Sequence, residues 1–228
     1  MSEVSTAILL FTRTAQEEAV AKSWSGRARN RQIAKLLIRN SKKVLQASGM
    51  PYIIHEHQQG NSFGEKLAFA FQKTFDQGYE QVICVGNDCP DLHEGSLQKA
   101  AKKLSNGQEW VLGPSEDGGV YLIGMNKNCF EQLNFQAISW HSKRVFSELK
   151  AILCNKKLTG YTLPVQQDLD NALDLAEILN RVFRQQVFTK ALLQIFEEKP
   201  FSSFYIPHFS LDKEIPLLAG VFRGPPRG

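Results

Sequence analysis

The sequence predicts an α/β fold, a three-layer α/β/α sandwich around a mostly parallel (mixed) central sheet. Three observations carry that expectation. Strand-like and helix-like patterns alternate along most of the 228 residues, as in chains built from βαβ units. The run Val82–Val85 is apolar at every position, the mark of a strand covered on both faces. Phe63, Leu67, Phe71 and Phe75 recur every four residues, the stripe of an amphipathic helix.

The elements follow in order. Ala7–Phe11 reads as a short apolar first strand. Ile33, Leu36, Leu37, Val44 and Leu45 keep helical spacing until Gly49 and Pro51 end the run. Tyr52–His55 is a second strand, and the helix from Phe63 closes near Gly78. Next come the strand at Val82–Val85, a helix over Leu97–Leu104 and a strand at Trp110–Leu112. After a tight acidic glycine turn a further strand covers Val120–Ile123. A helix over Lys143–Leu153, a strand over Leu158–Leu163 and a last long helix, roughly Ala172–Glu197, complete residues 1–199 as one domain. From Pro200 onward, aromatic and proline residues lack a period, and 200–228 is expected to be a tail that wraps the domain or contacts a second subunit, as in a homodimer.

The totals narrow the function classes. A hydrophobic share of 43% supports a full core. The net charge of +4 is too mild to argue for nucleic acid. No apolar run approaches the roughly 20 residues of a membrane span. The opening MSEVSTAILLF has an acid, no basic n-region and too short an apolar patch for a signal peptide. None of the four cysteines forms a CxxC pair, which fits a reducing, cytoplasmic setting. Cys89, with no obvious histidine base nearby, reads as a small turn filler rather than a nucleophile.

In open α/β sheets ligands bind beyond the carboxyl ends of the strands. Here those ends carry acids: Asp88 and Asp91 in "VICVGNDCPDL", Glu116 and Asp117 in "GPSEDGG", and Asp168 and Asp170 in "QQDLDNALDL". Carboxylates brought that close repel one another unless a cation or basic group joins them. Their hard oxygens suit Mg²⁺ or Mn²⁺. Several have a structural reading as well. Asn171 with Asp174 resembles a capping box, Asp91 fits a turn or helix cap, and Glu116 a solvated turn. Asp88 follows a buried strand and precedes Pro90, so it is the strongest functional candidate; for Asp170, at a helix start, the two readings balance. Gly118–Gly119 would admit a ligand to the backbone or simply make a tight turn. The segment "QQGNSFGEKL" places Gly60 and Gly64 around a helix start, where free amides could meet a phosphate or a base edge.

Taken together, "VICVGNDCPDL", "VLGPSEDGGVYLIGM", "ISWHS" and "DLDNALDL" resemble, in order and spacing, the selenodomain-associated transferase family. That group is similar to the GT-A fold of nucleotide-diphospho-sugar transferases, whose relatives include the phospholactate and molybdenum cofactor guanylyltransferases. The resemblance covers roughly Gln58–Leu175. It implies that Asp88 and Asp170 hold a divalent metal bridging nucleotide phosphates. It also implies that Gln59, Gly60 and Gly64 line the nucleotide pocket, and that Asp117, Gly118 and Gly119 face the acceptor or the sugar side. Trp140 would pack at the pocket rim. The chain departs from the pattern in the loop after the first strand, "FTRTAQEEAVAKSWSGRARNR". Only Lys22 and Ser23 correspond to the family's Lys-Thr-Arg-Leu run, and Trp24 stands where arginine is expected. Arg13, Arg27, Arg29 and Arg31 are candidates for the missing positive charge, with Arg13 and Lys22 assigned to the nucleotide phosphates.

The resulting expectation is a metal-dependent nucleotidyltransferase. It would take a nucleoside monophosphate from a triphosphate to a phosphorylated small-molecule acceptor, with Asp88, Asp170 and Lys22 as the catalytic set and no side-chain nucleophile. Two alternatives stand beside it: glycosyl transfer from a nucleotide-diphospho-sugar, and nucleotide binding without turnover. Nucleic acid and membrane are not expected as partners.

Overall fold

The computed structural model describes residues 5–180 and 187–197, all within the first unit of the chain, Met1–Glu198. The expectation for the tail, 200–228, and the dimer contact attached to it lie outside the described residues.

A six-stranded sheet forms the middle layer. In chain order its strands are β1 (Thr6–Phe11), β2 (Tyr52–His55), β3 (Gln81–Val85), β4 (Trp110–Pro114), β5 (Val120–Asn126) and β6 (Gly160–Thr162), in spatial order β2-β1-β3-β5-β4-β6. Pairs β1–β2, β1–β3 and β4–β6 are parallel, while β5 runs antiparallel to both of its neighbours. The sheet is therefore mixed. Only residues 115–119 separate β4 from β5, too few for the crossover that parallel neighbours require.

The helices are α1 (Ala15–Ala21), α2 (Arg27–Ala47), α3 (Phe63–Phe75), α4 (Glu94–Ser105), α5 (Lys127–Gln132), α6 (Val145–Asn155), α7 (Ala172–Asn180) and α8 (Val187–Glu197). Alternate strand residues point to opposite faces, and the core divides accordingly. On one face, Leu9 and Phe11 of β1 and Val82 and Cys84 of β3 pack with Leu67, Phe71 and Phe75 of α3, Phe130 of α5 and Leu149 of α6. On the other, Ile8, Leu10, Ile83 and Val85 meet Leu97, Ala100 and Leu104 of α4 and Leu45 of α2. These are the two outer layers the sequence predicts. A third cluster joins Ile33 and Leu37 of α2 to Leu175 and Ile178 of α7 and to Phe188 and Leu192 of α8, with Trp24 and Leu169 inside it.

Most predicted elements form close to their expected limits. The stretch read as one long helix is described as two, α7 and α8; the residues between them lie outside the described set. Helices α1 and α5 were not predicted. Both are short, but α1 carries a legible signal: Thr14 caps it by accepting from the Glu17 amide, and the Glu17 carboxylate accepts from the Thr14 amide, a complete capping box. The predicted Asn171–Asp174 box is present too. Asn171 Oδ1 accepts from the Leu173 and Asp174 amides, and Asp174 Oδ2 accepts from those of Asp170 and Asn171.

Because β5 alone is reversed, the ends of β1, β2, β3, β4 and β6 and the start of β5 share one edge of the sheet. The acidic loops emerge from that edge.

Candidate active site

Lys22 is the hub of that edge. It follows α1, where its amide donates to the Glu18 carbonyl at 3.0 Å and its carbonyl accepts from Asn30 Nδ2 at 2.8 Å. Its side chain is 17% exposed. The ammonium lies 3.1 Å from Asp88 Oδ2 and makes a second ion pair with Asp170 Oδ1. Burial works against this charge, but the two carboxylates outweigh it, so the Lys22 pKa lies above the ordinary lysine value.

The backbone fixes these groups through three loops. Trp24 is buried, and its indole N–H donates to the Leu169 carbonyl at 2.8 Å. The Leu169 amide donates to the Asp88 carbonyl at 2.7 Å. Ser23 forms a bridge with Asn171. The residue that replaces the expected arginine therefore ties the loop after β1 to the loop before α7. Leu169, buried beside Trp24, carries an acid on either side, Asp168 and Asp170.

The electrostatics are those of crowded carboxylates. Burial, then the Asp88 charge, raises the pKa of Asp168 well above the ordinary value and that of Asp170 in the same direction. Glu18, buried at the cavity wall with Oε1 3.8 Å from Arg13 Nη1, is raised by burial first and Asp88 second. Glu18 Oε2, Asp168 Oδ1 and Asn87 Nδ2 are buried without hydrogen-bond partners. Asn87 is held by Thr12, whose hydroxyl donates to Asn87 Oδ1 at 3.0 Å.

A cavity of about 450 Å³ opens over this cluster. Its lining includes Arg13, Lys22, Asp88, Asp117, Gly119 and Asp170 of the predicted set, together with Thr12, Glu18, Asn87, Tyr121, His141 and Lys143. Gln59 lines a neighbouring hollow of about 640 Å³ that shares Arg13 and Gln58 with it. Gly64 borders a third hollow with Phe63, Trp140 and His141. A Cβ at Gly64 would meet the Phe135 carbonyl oxygen at 2.5 Å, so its bareness serves packing. Gly60 and Gly118 line none of these three. Gly60, with φ of +137°, makes the turn into α3. Gly118, with φ of +90°, lets the β4–β5 hairpin press against the Lys143 carbonyl, which a Cβ would meet at 2.0 Å. Trp140 donates its indole N–H to the Phe135 carbonyl at 2.6 Å and packs on Phe63, as expected of a rim residue.

Cys89 is buried, its thiol donates to Gln166 Oε1 at 2.8 Å, and burial pushes its pKa well up. It fills the turn, as expected. Sequence reasoning missed Glu18, Asn30, Thr12 and Asn87. For Asn87, the signal was its place beside Asp88 at the end of a buried strand; for Glu18 and Asn30, no sequence pattern singles them out.

The donor set fits a hard divalent cation in one respect. Asp88 and Asp170 converge on a single positive charge, and the unpartnered Asp168 oxygen lies buried in the same group. Among the described residues no group of three or more His, Cys, Asp or Glu side chains is arranged to enclose a metal. A cation here would take two carboxylates and draw its other ligands from phosphate or water, the usual manner of Mg²⁺.

Residues 28–142, half of the chain, match the family described as "Uncharacterized protein conserved in bacteria (DUF2064)". The chain belongs to the DUF2064 family. The matched stretch of this DUF2064 protein runs from α2 to Ser142 and contains Asp88, Asp117 and Gly119, whereas Lys22, Asp168 and Asp170 fall outside it. No curated protein matches the chain. Among solved structures, the DUF2064 chain is similar to one from Desulfovibrio desulfuricans G20 described as a candidate nucleotide-diphospho-sugar transferase. The two are 23% identical over 84% of this chain and 95% of the other, with a TM-score of 0.68. It is also similar to a nucleotidyl transferase from Methanothermobacter thermautotrophicus, at 9% identity over 81% of this chain and all of the other, with a TM-score of 0.51. The fold is that of the nucleotide-diphospho-sugar transferases.

Proposed function

We propose that the protein is a metal-dependent nucleotidyltransferase of GT-A fold. It would transfer a nucleoside monophosphate from a triphosphate to a phosphorylated small molecule. The observation that carries this reading is the convergence of Lys22, Asp88 and Asp170 at the carboxyl edge of the sheet, inside a cavity large enough for a nucleotide. The fold supports it, and so does the lack of need for a nucleophilic side chain, since Cys89 is sealed in its turn.

An acceptor phosphate oxygen would attack the α-phosphorus. A new P–O bond forms, and the bond to the β-phosphate oxygen breaks, its electron pair leaving with pyrophosphate. Mg²⁺ or Mn²⁺ held by Asp88 and Asp170 would supply charge neutralisation along the phosphates. Lys22 and Arg13 would contribute positive charge beside the triphosphate, and Gln59 would lie toward the nucleoside. Asp117 and Gly119 border the acceptor side. Asp117 Oδ1 accepts from the Gly119 amide at 2.8 Å, which holds the hairpin tip in shape. The selenodomain-associated grouping and a cytoplasmic location belong to the same proposal. Among the described residues no helix is long and apolar enough to cross a membrane.

Glycosyl transfer from a nucleotide-diphospho-sugar is the second reading, favoured by the description of the Desulfovibrio structure. One experiment separates the two. Wild type and Asp88→Asn are melted with nucleoside triphosphates or nucleotide-diphospho-sugars, with and without Mg²⁺ or Mn²⁺. A ligand at 100 times its Kd adds about 2.7 kcal/mol to the native state. Nucleotidyl transfer requires that a triphosphate stabilises wild type only with metal, that Asp88→Asn loses the effect, and that pyrophosphate is released on turnover. Stabilisation by nucleotide sugars alone supports the second reading, and no response to either class removes both.

A further inference from the structure

We infer that Lys22 is a tethered cation that occupies the Asp88–Asp170 pair in the free protein, so that a divalent metal binds tightly only when phosphate oxygens draw the ammonium away. The inference rests on the metal reading proposed above and adds an order to it: metal and polyphosphate bind together, and neither completes the site alone.

Three features carry it. First, the Lys22 ammonium contacts the same two carboxylates that would ligate the metal, at 3.1 Å from Asp88 and in an ion pair with Asp170. A metal approaching the free protein must displace a resident charge, so its electrostatic gain at those oxygens is much reduced.

Second, moving the ammonium off the pair does not take it out of the site. Of the other acids that line the cavity, Glu18 is paired with Arg13, Asp117 accepts from the Gly119 amide, and Asp168 is buried next to the same pair, while Lys143 adds a further positive charge to the lining. Left beside a divalent ion, Lys22 would repel it. A triphosphate changes that, because its oxygens offer the ammonium a new partner within the same cavity.

Third, the lysine is built to pivot. Its backbone is fixed on both sides, by the Glu18 carbonyl and by Asn30 Nδ2, and Ser23 bridges to Asn171. Its four-carbon stem remains rotatable and ends in a compact charge, unlike the planar fork of an arginine. The coupling is reciprocal by linkage: phosphate strengthens metal binding by the factor by which metal strengthens phosphate binding.

The test is a Mn²⁺ titration without nucleotide, following the electron paramagnetic resonance signal of free Mn²⁺, on wild type, Lys22→Met and Lys22→Gln. The glutamine variant keeps a hydrogen-bond donor between the carboxylates and serves if the methionine variant does not fold. Both variants should bind Mn²⁺ at least tenfold more tightly than wild type. Their melting temperatures, lower than wild type in chelator, should recover on adding Mn²⁺, whereas wild type moves little. The gain must vanish when Asp88→Asn is combined with Lys22→Gln; a gain that persists places the ion elsewhere and overturns the inference. Equal or weaker binding in the variants, with Mn²⁺ bound by wild type, overturns it while leaving the metal reading intact. If no form binds Mn²⁺ even with a nucleoside triphosphate present, both fall.

Discussion

Trp24 shows how one side chain can place two others. Its ring is buried among α2, α7 and α8, and its N–H holds the Leu169 carbonyl between Asp168 and Asp170. Trp24→Phe keeps most of the packing and removes the donor, so we expect a loss of about 1 kcal/mol. Trp24→Ala removes the packing as well and should cost about 3–5 kcal/mol. Urea unfolding of the two variants reads this difference. Asp168 acts in the opposite sense. Its folded pKa lies above the unfolded value of about 3.9. The native state therefore binds more protons than the unfolded chain between that value and the raised one, and stability falls as pH rises through this window. Asp168→Asn should be more stable than wild type at pH 7–8. The difference should narrow toward pH 4, where the wild-type carboxyl is also neutral. Melting curves across that range test it, and a constant difference would mean that Asp168 ionises normally.

At the scale of elements, the β4–β5 hairpin is the tightest joint of the site. Gly118 donates its amide to the Ser115 carbonyl and accepts from the Phe146 amide at 3.1 Å, so the hairpin tip is seated against the start of α6. Gly118→Ala would put a Cβ 2.0 Å from the Lys143 carbonyl oxygen at a backbone angle that only glycine adopts readily. A loss of about 2 kcal/mol or more is expected from the combined strain and overpacking. Gly119 is the internal control. The nearest atoms to a Cβ there are those of the Asp117 carboxylate, from 3.0 Å, and φ is not positive. Thermal melts should separate the neighbours clearly, although the sequence presents them as an equivalent pair.

For the whole molecule, local patterns revealed the layers but not how the loops meet. The four-residue stripe of α3 and the unbroken apolar run of β3 are short-range features, and both elements form where predicted. Asp88 stood out because a polar turn must follow a strand buried on both faces. The pairing of Lys22 with Asp170 spans 148 residues and depends on how α1 and α7 pack on α2, which no periodicity encodes. Trp24 looked like a departure from an expected motif, and its role appears only once Leu169 lies beside it. The reversal of β5 was legible in principle, since the connection 115–119 is too short for any other geometry.

That reversal also fixes what the opposite edge of the sheet can be used for. β5 ends at Asn126 where β4 begins, and Asn126 N–H bonds to the Glu109 carbonyl, next to the open turn at Gly107. A five-residue strand separates this turn from the carboxylates by about 16 Å. A fluorophore carried at the exposed Asn106, beside a Gly107 whose φ of +91° keeps that position for glycine, would report on the protein from a distance, riding on the sheet without entering the chemistry at its other rim.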